Sequence, residues 1–137
     1  MMKNWLRSEE VIQFLISILV FSQMEFAWWV FPAVLLIPDL SMLGYAISTR
    51  IGAFTYNLGH HKGLALAVLT LGWYEQQSTV ELAGLILFAH SCMDRMLGYG
   101  LKYTDDFRHT HLGWLPGGAK PHHASRDSAK PELRSDD

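Results

Sequence analysis

Cysteine is almost missing from this chain: Cys92 stands alone, so no disulfide forms within one copy, and the residue is read as packing. Charge is scarce too, at 18% of residues, and the signs nearly cancel to a net −2, which removes the basic excess that nucleic-acid binding draws on. No nucleic-acid motif occurs, and no dense metal motif of the H-E-x-x-H type. No serine precedes or follows a histidine at helical i, i+4 spacing, so a nucleophile paired with its base is not visible. A cleaved secretory leader is also disfavoured. Glu9 and Glu10 interrupt the junction after Lys3 and Arg7, and Ser22-Gln23-Met24-Glu25 lacks a small-x-small signature.

Apolar side chains are abundant, half of all residues, and they gather into runs over residues 11–21, 26–47, 54–73 and 80–101. Charges crowd into the two ends and the short connections. The pattern predicts an all-α fold: a small integral membrane bundle of four transmembrane helices over residues 1–113. A disordered, cytoplasmic polar tail is expected over 114–137, set off by Pro116, Gly117 and Gly118. The first run needs Trp5, Leu6 or Met24 to reach the roughly 20 residues of a span, so an interfacial helix is its alternative.

Lysines and arginines precede the first run and follow the fourth, and Arg50 lies between the second and third; Glu25, Glu75 and Glu81 mark the other connections. That bias predicts a multi-pass protein of the inner membrane with both termini cytoplasmic, and Trp28, Trp29, Trp73 and Tyr74 at the opposite interface. Membrane lipids are the expected neighbours, and a homo-oligomer or a membrane protein partner is compatible with so small a bundle.

Within the runs stand Asp39, His60, His90 and Asp94. An ionisable group at the centre of a bilayer costs roughly 2.5–3.5 kcal/mol unless it meets another polar group, water or a metal. With helices alternating in direction and rising about 1.5 Å per residue, all four fall in the cytoplasmic half and can converge. His90 and Asp94 are i, i+4, and Asn57 and His60 are i, i+3, so each pair shares a helix face. Two imidazoles and two carboxylates make a mixed N/O ligand set for zinc or non-haem iron, with Tyr56 or Asn57 orienting it. The same residues also suit a hydrogen-bonded network that sets helix register, a b-type haem held by His60 and His90, or a proton relay.

Other residues attract smaller roles. Arg95 and Lys102, with Tyr99 between them, suit an anionic headgroup or simple snorkelling, and His111 is a candidate cap below the site. Lys62 reads as an interfacial snorkelling residue, and Gly44 and Gly98 as points of close helix approach. His122 and His123, in the tail, would bind metal adventitiously.

Longer strings then become informative: Pro38-Asp39-Leu40-Ser41-Met42-Leu43-Gly44-Tyr45, Tyr56-Asn57 with His60, His90 followed by Asp94-Arg95, Gly98-Tyr99-Gly100-Leu101-Lys102-Tyr103, Phe107, and Thr110-His111-Leu112-Gly113. Together they resemble a small bacterial membrane protein family known as domain of unknown function 4260. The resemblance covers nearly all but the N-terminal end and the polar tail, and it carries no activity. It implies that Asp39, Asn57, His60, His90 and Asp94 are motif positions, and it brings Arg95, Lys102 and His111 back into consideration. The continuation His61-Lys62-Gly63 departs from the pattern, so neither His61 nor Lys62 takes a role from it.

Two functions of different class follow. One is an intramembrane metal-dependent hydrolase acting on a lipid or other amphipathic substrate; the other is a non-enzymatic membrane protein, a haem binder or a partner subunit with a structural polar core.

Overall fold

The computed structural model describes residues 1–118, and helices dominate it. They are α1 (Met2–Ser22), α2 (Val30–Val34), a 3-10 helix (Ile37–Ala46), α3 (Thr49–Gly59), α4 (Lys62–Tyr74) and α5 (Ser78–Leu97). A minimal antiparallel hairpin follows, β1 (His109–Thr110) with β2 (Gly113–Trp114), so the chain passes residue 113 inside a strand. The disorder expected further along, over 119–137, lies outside the described residues.

The all-α expectation holds, but two of the four runs do not form single helices, and among the described residues no helix is long and apolar enough to cross a membrane. Run 26–47 breaks because of Pro38. Proline has no N–H for the carbonyl of Val34 and its ring crowds that carbonyl, so α2 stops at Val34 and the backbone tightens into i to i+3 bonding. Asp39 N–H accordingly donates to Leu36 O at 3.1 Å, which takes the carbonyl of Leu35 out of the helical ladder. Run 54–73 breaks at the two histidines. His60 terminates α3, and His61 turns to an extended conformation and caps α4, its Nδ1 accepting from Leu64 N–H at 3.0 Å.

Glycine seams set the helix pairs. A Cβ on Gly84 would stand 2.2 Å from Leu69 N, and one on Gly72 2.2 Å from Glu81 N, so α4 and α5 touch backbone to backbone. The 3-10 helix lies on α3 in the same way, Gly44 against Thr55 and Gly52 beneath the Tyr45 ring. Gly98 is a correction to the sequence reading: it serves as a left-handed C-cap of α5 at φ 95°, not as a helix contact. α1 runs antiparallel along α5, and Phe21 and Phe31 meet Leu85, Ile86 and Ala89 in the apolar core.

Polar side chains share the interior, and many large apolar ones lie outside. The largest side chains under 2% exposed are His90, Cys92, Ser17 and Ser91, whereas Trp28, Leu43, Phe54 and Trp73 are each at least 66% exposed.

Candidate metal centre

Three elements meet at one point. The 3-10 helix contributes Asp39 in its first turn, the C-terminus of α3 contributes His60, and α5 contributes His90 and Asp94 one turn apart. One ligand atom from each lies within 4.8 Å of every other, the only such grouping of His, Cys, Asp and Glu among the described residues. His60 Nε2 and His90 Nε2 are 2.9 Å apart. His60 Nε2 lies 3.2 Å from Asp94 Oδ2 and 3.8 Å from Asp39 Oδ1; His90 Nε2 lies 3.2 Å from Asp39 Oδ1 and 3.6 Å from Asp94 Oδ1.

The backbone decides which imidazole atoms face inward. His90 Nδ1 is 2.8 Å from Leu35 O, the carbonyl that Pro38 released, and His60 Nδ1 is 2.8 Å from Tyr56 O. A carbonyl can only accept, so both Nδ1 atoms carry the proton and donate it. In the neutral rings both Nε2 atoms then present lone pairs to each other and to two carboxylates. Such a set is unfavourable empty of positive charge, and a cation or a shared proton resolves it. The spacings suit a metal: ligand atoms about 2.0–2.1 Å from a tetrahedral ion sit about 3.3 Å from one another. They do not suit haem, because axial nitrogens on opposite faces of a porphyrin stand about two bond lengths, roughly 4 Å, apart.

Supporting contacts hold the set. Tyr56 stacks on His60 with ring centroids 3.8 Å apart, and its hydroxyl donates to Asp94 Oδ2 at 2.7 Å. His60 and His90 are 3% and 0% exposed, whereas the Asp39 side chain is 37% exposed, so the centre has one open side.

The family described as domain of unknown function DUF4260 matches residues 3–115. The chain belongs to the DUF4260 family. No curated protein and no solved structure matches it.

In this DUF4260 chain, other residues singled out in the sequence frame the centre. Asn57, expected to orient the ligands, uses its amide on the main chain of Lys102 instead: Nδ2 donates to Lys102 O at 2.7 Å and Oδ1 accepts from Lys102 N–H at 2.6 Å. The orienting role falls to Tyr56. His111 Nδ1 accepts from Leu101 N–H at 2.8 Å, fixing that turn while standing outside the four-residue grouping. Arg95 is partly exposed on α5, but Lys102 does not accompany it at the surface. Lys102 Nζ donates to Phe107 O at 2.9 Å and lies 3.3 Å from the Phe107 ring centroid and 4.7 Å from that of Tyr56. The pairing of Arg95 with Lys102 around a headgroup is therefore not formed. In the hairpin, the ring of His109 holds the Asp105 carboxyl below its ordinary range.

Burial pushes the Lys102 ammonium down to about 8, against the opposing pull of Asp94 and Asp106. Between pH 8 and the ordinary lysine range the unfolded chain keeps a proton that the folded chain has released, so stability rises with pH there and the cost of burying the charge is fully present below. Lys102→Met is expected to lack this rise when unfolding is followed from pH 7 to 11; superimposable profiles for the two proteins would refute the assignment.

A second polar group escaped the sequence reading. Lys62, read as an interfacial snorkelling residue, pairs with Glu10 of α1 and donates to Gln13 Oε1 at 2.7 Å, with Cys92 Sγ 3.8 Å from the same oxygen. Glu10 lies on α1 and Lys62 opens α4, so this contact needs helices that are distant in sequence to be packed together.

Proposed function

We propose that this chain is a multi-pass inner-membrane metalloprotein, both termini cytoplasmic, whose centre holds zinc or iron and hydrolyses a lipid or another amphipathic substrate. The observation that carries the metal is the pair of inward Nε2 atoms 2.9 Å apart between two carboxylates, each imidazole proton being committed to a carbonyl. The membrane placement is supported by the many large apolar side chains exposed around a partly polar interior. The two ends of the bundle support it as well: Arg7 and Gly98 adjoin at one, and Glu81 packs on α4 at the other. Helices interrupted beside a buried polar centre are the form that irregular backbone takes at membrane depth.

His60, His90 and Asp94, the three better buried groups, would hold the ion. Bound there, it supplies Lewis acidity and acidifies water. Asp39, on the open side, orients the attacking water and takes up its proton. Tyr56 keeps Asp94 turned toward the imidazoles through its 2.7 Å hydrogen bond. The competing reading, a packing network in which His60 and His90 share one proton, draws on the same 2.9 Å contact.

Elemental analysis of the detergent-purified chain separates the two, run beside a His90→Ala, Asp94→Ala variant prepared identically and with residues after Leu115 removed from both. Near-stoichiometric zinc or iron in the parent, lost in the variant, is the expected result. Equal metal in both, or none in either, refutes the metal centre and leaves the shared proton.

A further inference from the structure

Resting on the metalloprotein reading above, we infer that the groove between the 3-10 helix and α5 binds the alkyl chain of the substrate and delivers its polar end to Asp39. Val34, Ile37 and Pro38 form one wall of this open groove and Leu82, Ile86 and Leu87 the other, with about 320 Å3 of space between them. Thr79 and Ala83 complete the lining, so no charged side chain contributes to it, and a charged ligand would lose its hydration there without compensation. A single hydrocarbon chain fits the groove.

Two covalent links join the groove to the metal centre. Pro38 is followed directly by Asp39, and Ile86 lies one turn before His90 on α5. The most exposed side chain of the centre, Asp39, is thus the one that continues the groove wall. From Leu87 to Thr79 the groove follows α5 for about 12 Å away from the centre. The break that Pro38 makes serves both parts. It lays Ile37 and Pro38 against α5 and frees the Leu35 carbonyl that orients His90. A larger hollow of about 460 Å3, at Trp73, Tyr74 and Glu81, belongs to the turn between α4 and α5 at the opposite end of α5 from His90.

Hydroxamates test this, because the headgroup reports the metal and the tail reports the groove. Calorimetric titration of the zinc-loaded, detergent-solubilised full chain with acetohydroxamate and with decanohydroxamate is expected to show at least about tenfold tighter binding of the long probe. Ala83→Trp, which fills the groove from an exposed position, is expected to abolish that gain while leaving zinc content and acetohydroxamate binding unchanged. Thr79→Trp, at the far end, gives a second reading if Ala83→Trp does not fold: it too should reduce the gain. A gain that persists in the filled variants is micelle partitioning and overturns the groove, as does equal binding of both probes by the parent. If the chain holds no zinc and acetohydroxamate does not bind, the metal centre itself fails and the groove assignment fails with it.

Discussion

Removing the metal with a chelator is expected to lower the melting temperature of the parent chain by on the order of 10–15 °C and to leave His60→Ala, His90→Ala unmoved. An ion that binds only the folded chain stabilises it by about 4 kcal/mol when present at a thousandfold excess over its dissociation constant, which in a chain of this size is a shift of that order. The centre is well placed to transmit it. Its ligands come from α3 and α5, with Asp39 of the 3-10 helix beside them, so the ion ties together elements otherwise joined by the Asn57 clamp. The variant has no centre to lose, and its melting temperature should already lie near that of the chelated parent. Differential scanning fluorimetry in detergent, with and without chelator, measures all four cases. A parent that melts at the same temperature in both conditions would remove the stabilising role of the metal.

Gly84→Val should cost roughly 3 kcal/mol or more, the upper end of what overpacking produces. The added Cβ alone would stand 2.2 Å from Leu69 N, 2.6 Å from Leu69 Cα and 2.8 Å from Ala65 O. These are backbone atoms, which cannot swing aside as a side chain does, so α4 and α5 must separate along their length. Ala83→Val, one residue earlier on the exposed side of α5, is the matched control and should change stability by less than about 0.5 kcal/mol. Unfolding monitored by circular dichroism in a denaturant series compares them. Equal destabilisation by the two substitutions would mean that the close approach at Gly84 does not determine how these helices pair.

Much of the centre was visible in the order of residues because its chemistry is conspicuous there. Asp39, His60, His90 and Asp94 interrupt apolar runs, and the i, i+4 spacing of His90 and Asp94 already places two of them on one face. Tyr56 was legible as a neighbour one turn from His60, although its hydroxyl bond to Asp94 was not. Asn57 and Lys102 were misread for a common reason: their partners are 45 residues apart and involve main-chain atoms, which carry no residue-type signature. The pairing of Glu10 with Lys62 was hidden by its separation of 52 residues: Glu10 was read as interrupting a leader junction and Lys62 as a snorkelling residue.

The amino-acid sequence by itself determined that the chain is all-α, that Asp39, His60, His90 and Asp94 lie within apolar runs, and which family it belongs to. These follow from periodicity, composition and motif strings, all of them local. Tertiary structure decided where the runs break, which imidazole nitrogens face inward, and which helices approach at glycine. Pro38 shows why: the run 26–47 reads as continuous in composition, and the carbonyl that the proline frees at Leu35 acquires a function only when His90, 55 residues away, packs beside it.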